Sequence, residues 1–380
     1  MPNSTNAILS LPPQHARRII GLGKDVSREQ RAHGVTDTQR YRYTGKLEAT
    51  MDCRPNGSAL IPLWGGCPAA PWQKYAAEDP AIVARYPSPV LVNVGANKGY
   101  AAAEFLAIWS QRRVNSKIWL ANILAYAGVK STVHGYLRYQ PCGECLACKV
   151  PTPAPHQRNG GSVHMLELLE SNRALLRNLT RQTGIDDIAT VHDMAAANET
   201  RRVYAPPFHA GFEARSAFYG TTEKPANLDA VALDDFFKRT ALEEAYLVSI
   251  DTEGWDALVL EGMRGLLARG RIGFVEFEVG RKKGYWRPSH PERRVLSSTI
   301  GWLHAAGYVC FMEAHTFLAP ISGACWRKEY ELPRWANVLC ANSRTPALDV
   351  LWRVARLADA AEIAQALARV RCKGKKGALC

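Results

Sequence analysis

Between residues 87 and 345 short β-branched apolar runs alternate with stretches of helical period. Pro89–Val94 (PVLVNV) is a compact apolar run stopped by Gly95, the pattern of a strand buried on both faces of a parallel sheet, and Tyr100–Gln111 follows with helical spacing. After an interruption at 112–162 the alternation resumes with a strand at Val163–Glu167, a helix at Asn172–Thr183 and a strand at Ala189–His192. Past a polar stretch come helix Leu233–Thr240, strand Ala245–Asp251, helix Ala257–Ala268, strand Ile272–Val279, helix Val295–Ala306, and strands Tyr308–Met312 and Asn337–Ala341. This rhythm predicts an α/β fold, a doubly wound, mainly parallel seven-stranded sheet with helices on both faces. The last two strands have only loop between them and predict an antiparallel hairpin closing the sheet edge.

Three regions follow. Residues 1–86, punctuated by Pro, Gly and Trp, read as a basic tail and irregular N-terminal extension with a helix over Ala81–Tyr86. Residues 87–345 form the main domain, whose insertion at 112–162 follows the first helix and holds one helix of its own, Ser116–Tyr126. Residues 346–380 read as a helix, Pro346–Val370, and a basic tail. Apolar runs such as Ala125–Val129 fall far short of the ~20 residues that cross a bilayer, and Met1–Ser10 has no charge followed by an apolar core. Neither a membrane span nor a signal peptide is expected; the compartment is the cytoplasm or, from the acid-poor first 24 residues, an organelle.

At 47 % hydrophobic in 380 residues the chain is not a disordered one. Its net charge of +13 sits in Met1–Lys46, Arg112–Ser162 and Arg371–Cys380, around a nearly neutral body. No stripe of aromatics alternates with the basic residues, so nucleic acid is the less favoured partner.

In such sheets ligands bind at the carboxyl ends of the strands, near the point where strand order reverses. The first end reads Asn93, Val94, Gly95, Ala96, Asn97, Lys98, Gly99, Tyr100, a tight glycine turn leading to the free N–H groups of a helix. Asn97 stands where the dinucleotide fingerprint has its second glycine, so a pyrophosphate fits poorly. S-adenosylmethionine, which carries no phosphate, fits better, with Glu167 at the second strand end accepting from the ribose hydroxyls. At the third end Asp193 is a candidate for the adenine amine and Met194 for the ring, with helix capping the competing role for Asp193. The fourth end carries Asp251, Glu253 and Asp256, three carboxylates expected to face water, a cation or a substrate proton.

These residues resemble the FkbM-type S-adenosylmethionine-dependent methyltransferases. The family reads roughly D-x-G-A-N-x-G-Y, an acidic strand end, T-L-D-D, and K-I-D-V-E-G-x-E-x-x-V-L-x-G. This chain has NVGANKGY at Asn93–Tyr100, HMLELLESNRALLRNL at His164–Leu179, VALDDFF at Val231–Phe237 and SIDTEGWDALVLEGM at Ser249–Met263. Asn93 replaces the usual Asp, Leu168 a Pro, and Ser249 a Lys. The resemblance implies a class I methyltransferase, a Rossmann-like sheet with an antiparallel last strand. It also implies transfer of a methyl to an oxygen nucleophile, a hydroxyl of a small molecule, glycan or secondary metabolite. Asp251 is the expected base or substrate hydrogen-bond acceptor, with Glu253 and Glu276 shaping the pocket; Asp251 and Glu253 are the expected ligands if a divalent cation takes part. A nucleic-acid methyltransferase and a catalytically silent binding protein on the same fold are the alternatives.

Of ten cysteines, Cys310 and Cys340 lie in apolar runs and read as buried core thiols. Cys142, Cys145 and Cys148 have C-x₂-C-x₂-C spacing in the insertion, but Thr152 breaks the ferredoxin pattern. With His134 or His156 they would form a structural zinc site; a disulfide with one spare thiol, or no cross-link, are the other readings.

Overall fold

The computed structural model describes residues 72–110, 114, 116–126, 160–208, 210, 225–280, 284–313, 318–331 and 336–356. Two helices, α1 (Trp72–Glu78) and α2 (Pro80–Arg85), lead into β1 (Val90–Val94), α3 (Tyr100–Trp109) and α4 (Ser116–Tyr126). Then come β2 (Ser162–Leu166), α5 (Glu170–Thr183), β3 (Ala189–His192), β4 (Met194–Ala197), β5 (Arg201–Val203) and β6 (Leu228–Ala232). The chain continues through α6 (Leu233–Thr240), β7 (Ala245–Ile250), α7 (Asp256–Glu261), α8 (Arg264–Ala268), β8 (Ile272–Val279) and α9 (Leu296–Ala305). It closes with β9 (Tyr308–Glu313), β10 (Leu318–Pro320), β11 (Ala336–Asn342) and α10 (Ala347–Arg356).

The main sheet runs β10-β9-β11-β8-β7-β1-β2-β3. Neighbours from β8 to β3 are parallel, whereas β11 is antiparallel to both β8 and β9. Chain order reverses between β1 and β7, which opens a crevice at their carboxyl ends. One face is covered by α6 to α9, with Phe236, Phe237, Leu260, Leu267, Ile300 and Leu303 in a common core with Val92, Val248 and Phe277. On the other, Tyr246 packs against Tyr86, Phe105 and Trp109, with ring centroids 5.3, 6.0 and 5.0 Å away, and Trp72 lies 4.9 Å from Phe274. The Pro/Trp-punctuated extension thus contributes two helices, and no described helix is long and apolar enough to cross a membrane.

Four features differ from the sequence expectation. The main sheet has eight strands, because Leu318–Pro320 pairs with β9 at the edge; three residues ending in Pro carry no readable alternation. For the same reason the final hairpin does not close the edge: β11 inserts between β8 and β9. A second sheet, β4-β6-β5, occupies part of the polar stretch, and the Ala-rich β4 has little intrinsic strand signal. The helix expected over Ala257–Ala268 breaks at Gly262, where a Cβ would lie 2.1 Å from the Ala197 carbonyl oxygen, and α8 restarts under an Asp234 carboxylate that accepts from the Gly265 and Leu266 N–H groups.

Cys310 and Cys340 form a disulfide, not a pair of free core thiols. They are partners in the antiparallel register of β9 and β11, so their apolar surroundings and their juxtaposition have one cause. The trio Cys142, Cys145 and Cys148 lies outside the described residues.

Candidate active site

The turn after β1 is fastened to its neighbours through backbone. Gly95 and Ala96 N–H groups both donate to the Leu166 carbonyl (2.9 and 3.3 Å), and the Asp251 N–H donates to the Val94 carbonyl at 2.9 Å. Gly95 has φ +75°, and a Cβ there would fall 1.9 Å from the Asp251 carbonyl oxygen, so both its conformation and its clearance demand glycine. Gly99 has φ +76° and a different reason: its missing Cβ admits Leu176 and Trp119. The Trp119 Nε1–H donates to the Lys98 carbonyl (3.0 Å), so α4 of the insertion supports the turn from behind. The Oδ1 atoms of Asn93 and Asn97 are buried without a hydrogen-bond partner, which leaves two acceptors at the turn open to a donor.

Glu167, just past β2, is buried. Its Oε2 accepts from the Asn97 N–H (2.7 Å), its Oε1 from the Leu169 N–H (2.9 Å), and the Asn172 side chain also bonds to it. Burial pushes its pKa up; the two backbone donors, Asn172 and the Arg173 charge pull against that. A carboxylate offers about four acceptor sites, so hydroxyl donors have room only where one remains or a bond is exchanged. Arg173, itself buried, holds this corner: its Nη1 donates to the Glu167 and Leu168 carbonyls (3.0 and 2.5 Å) and its Nε to Asp193 at 3.1 Å.

Asp193 and Met194, the candidates for the adenine, sit where the chain passes from β3 to β4. Asp193 pairs with Arg177 (2.7 Å) as well as Arg173, and the Arg177 bond holds its carboxyl below the ordinary carboxylate range. Met194 begins β4 and is in register with Asp229 of the second sheet, since the chain leaves the main sheet at Asp193.

The three carboxylates after β7 also divide. Asp251 is exposed and Glu253 half-buried, the latter at φ +55°, a strained conformation for a residue with a Cβ. Asp256 is fully buried and accepts from the Thr252 hydroxyl (3.0 Å) and the Gly254 and Glu278 N–H groups (3.2 and 3.1 Å). Burial raises its pKa to about 6. It pins the loop from inside and does not, as expected of all three carboxylates, face water, a cation or a substrate proton. Gly284 closes on the same loop, with the Tyr285 N–H donating to the Gly254 carbonyl at 2.9 Å and Trp255 edge-on to Tyr285.

Glu276 sits one strand over, in register with Ser249, whose hydroxyl donates to its Oε2 at 3.3 Å. Beside it lie two carboxyls that no local motif marked, Glu104 on α3 and Glu313 at the end of β9. Burial, then the Glu276 charge, raises the Glu104 pKa to about 7. A folded-state pKa above the unfolded one of about 4.5 means a stabilising contribution complete below that pH and lost as pH rises through about 7. Glu104→Gln, which mimics the protonated acid, is therefore expected to melt like the parent at pH 5 and higher at pH 8, by up to roughly 3 kcal/mol. Thermal melts at the two pH values check this, and an equal difference at both contradicts it. No group of three or more His, Cys, Asp or Glu among the described residues is arranged to hold a metal ion.

Residues 122–310 match the family model described as Methyltransferase FkbM domain. The match opens within α4, so the glycine turn precedes it, while Glu167, Asp251, Glu253 and Glu276 fall inside. Among solved structures, a crystal structure of Methyltransferase FkbM from Methylobacillus flagellatus KT is 14% identical, with a TM-score of 0.34; the alignment covers 84% of this chain, which spans 60% of that one. No curated protein matches the sequence.

Proposed function

We propose that this chain, which carries an FkbM methyltransferase domain over residues 122–310, transfers the methyl of S-adenosylmethionine to a hydroxyl oxygen of a small-molecule, glycan or secondary-metabolite acceptor. The observation that carries the reading is the contact of a buried strand-end carboxylate with a glycine turn: Glu167 accepts from the Asn97 N–H at 2.7 Å, where β1, β2 and β7 meet. The donor set suits the cofactor. Glu167 is an acceptor for ribose hydroxyls, the orphaned Asn93 and Asn97 Oδ1 atoms are acceptors for an ammonium group, and Gly95 leaves no side chain in the way. Ala96, Gly99 and Tyr100 complete the turn and start the helix behind it; Asp193 and Met194 are left out of the assignment.

When bound, S-adenosylmethionine supplies a methyl already activated by its sulfonium. The protein has to align the acceptor oxygen for in-line attack and manage its proton. Asp251, exposed just past β7, would accept the hydroxyl proton on its carboxylate, and Glu253 and Glu276 would help to shape the acceptor pocket. Asp256 keeps the Asp251–Asp256 loop in shape through its three hydrogen bonds.

Glu167→Ala removes the ribose acceptor and a tie to the turn. At about 1.5–3 kcal/mol per hydrogen bond to a charged group, the affinity for S-adenosylhomocysteine is expected to fall at least about tenfold. Calorimetric titration of both proteins reads this directly, and unchanged affinity counts against the site. Transfer of label from S-adenosylmethionine to a glycan and metabolite extract tests the reaction itself.

A further inference from the structure

The loop that follows Asp251 is held at the residue Gly254 from two sides. Glu253 and Gly254 are consecutive residues with positive φ, +55° and +104°, and the Cβ of Glu253 makes that backbone costly, so contacts from outside the pair must hold it there. The Gly254 N–H donates to the Asp256 Oδ2 at 3.2 Å, and the Gly254 carbonyl accepts from the Tyr285 N–H at 2.9 Å. Both partners are anchored. Asp256 is tied to β8 through the Glu278 N–H (3.1 Å), and Tyr285 lies in the short turn Gly284–Trp286, beyond the end of the same strand. The two holds thus lead back to β8, the strand beside β7.

The turn reaches Gly254 because residue 284 has no side chain. Gly284 has φ +40°, and a Cβ on it would stand 2.2 Å from the Gly254 carbonyl oxygen and 2.6 Å from its carbon. The contact is backbone against backbone, so neither side can turn aside. The turn is braced in turn on α7, the helix that the loop leads into. The Arg294 N–H donates to the Tyr285 carbonyl at 2.7 Å, while its Nε and Nη2 donate to the Glu261 carboxylate at 2.6 and 3.1 Å. The Tyr285 ring packs against Trp255 and His290, with centroids 4.8 and 4.2 Å away. Loop, helix, Arg294 and turn therefore close a ring of contacts on Gly254. Asp251 stands at the entrance to that ring. Its N–H is fixed to the Val94 carbonyl, so the direction in which the chain leaves it, and the bearing of its carboxylate, depend on where Gly254 is held.

We propose that Gly284 is a positioning residue for the methyl transfer, its turn holding Gly254 so that the Asp251 carboxylate meets the acceptor hydroxyl. The inference rests on the proposed reaction and on Asp251 as its proton acceptor. Gly284 acts through Asp251 and takes no part in the proton transfer itself.

The test measures label transfer from S-adenosylmethionine to a polar extract of metabolites and glycans by four full-length proteins: the parent, Gly284→Ala, Asp251→Asn and the double variant. Misplacing an aligned group by about 1 Å costs on the order of 10²-fold, so Gly284→Ala is expected to lower transfer at least about tenfold in the parent. On the Asp251→Asn background no carboxylate is left to aim, and the same substitution should cost less than about twofold. A merely structural role would cost the same factor in both backgrounds. Calorimetry with S-adenosylhomocysteine should give unchanged stoichiometry and an affinity within about twofold of the parent's. Arg294→Gln, which frees the turn from α7 at a half-buried ion pair, repeats the comparison in case Gly284→Ala does not fold, with an expected cost of at least about threefold in the parent and a negligible one on Asp251→Asn. Equal costs in the two backgrounds, or no cost in the parent, overturn the inference and leave the methyl-transfer reading standing. Loss of cofactor affinity in step with transfer also overturns it, because the turn would then serve the cofactor. No label from a parent chain that binds S-adenosylhomocysteine overturns the transfer reading and this inference with it.

Discussion

Asp251→Asn is expected to lower turnover by about 10²–10⁴-fold while S-adenosylhomocysteine affinity stays within about twofold. The substitution keeps the shape of the side chain and removes its affinity for a proton. Its backbone, the part that binds the glycine turn through the Val94 carbonyl and crowds Gly95, is untouched. Since Asp251 is exposed, little folding free energy depends on its charge, and a loss of activity cannot be assigned to collapse of the loop, which Asp256 secures separately. Labelled transfer and calorimetry on the same preparation separate the outcomes. A parallel fall in affinity and turnover assigns Asp251 to the cofactor; near-normal turnover moves the proton acceptor elsewhere, with Glu276 next in position.

Gly95→Ala is expected to destabilise the fold by about 3 kcal/mol or more and to abolish measurable cofactor binding at micromolar concentrations. A residue with a Cβ at φ +75° is disfavoured by roughly 1–2 kcal/mol before any contact is counted. The added carbon would then overlap the Asp251 carbonyl oxygen at 1.9 Å, and that carbonyl is backbone, unable to turn aside. Relief requires β1 and β7 to part at the place where the crevice forms. A thermal melt lowered by less than the equivalent of about 1 kcal/mol would show that the turn yields easily and that its close approach is not essential.

The sequence was most readable where the chain's own period announces an element. The β8 run Ile272–Val279 and the α4 segment Ser116–Tyr126 have the bounds that alternation and helical spacing predicted, and β1, β7 and β9 differ by a residue at an end. Glycine spacing and a strand-end carboxylate brought Gly95 and Glu167 to notice for the same reason: the chemistry is encoded within a few residues. What stayed hidden was set by contacts distant in sequence. Glu276 and Glu313 come from different strands and meet only through the register of β8, β11 and β9. Cys310 and Cys340 look like ordinary core thiols until the antiparallel insertion of β11 sets them face to face. Asp256 shares a hexapeptide with Asp251, yet a bond to the Glu278 N–H, 22 residues away, turns it inward. Arg173, which ties the ends of β2 and β3, sits in a helix whose pattern gives no hint of it.

Calorimetric titration of the full chain with S-adenosylhomocysteine, alongside NAD as a ligand of the competing glycine-turn class, tests the central claim most directly. The account predicts one site of micromolar affinity for S-adenosylhomocysteine, weakened at least about tenfold by Glu167→Ala, and no comparable binding of NAD. Tight binding of NAD, with S-adenosylhomocysteine giving no heat, would contradict it.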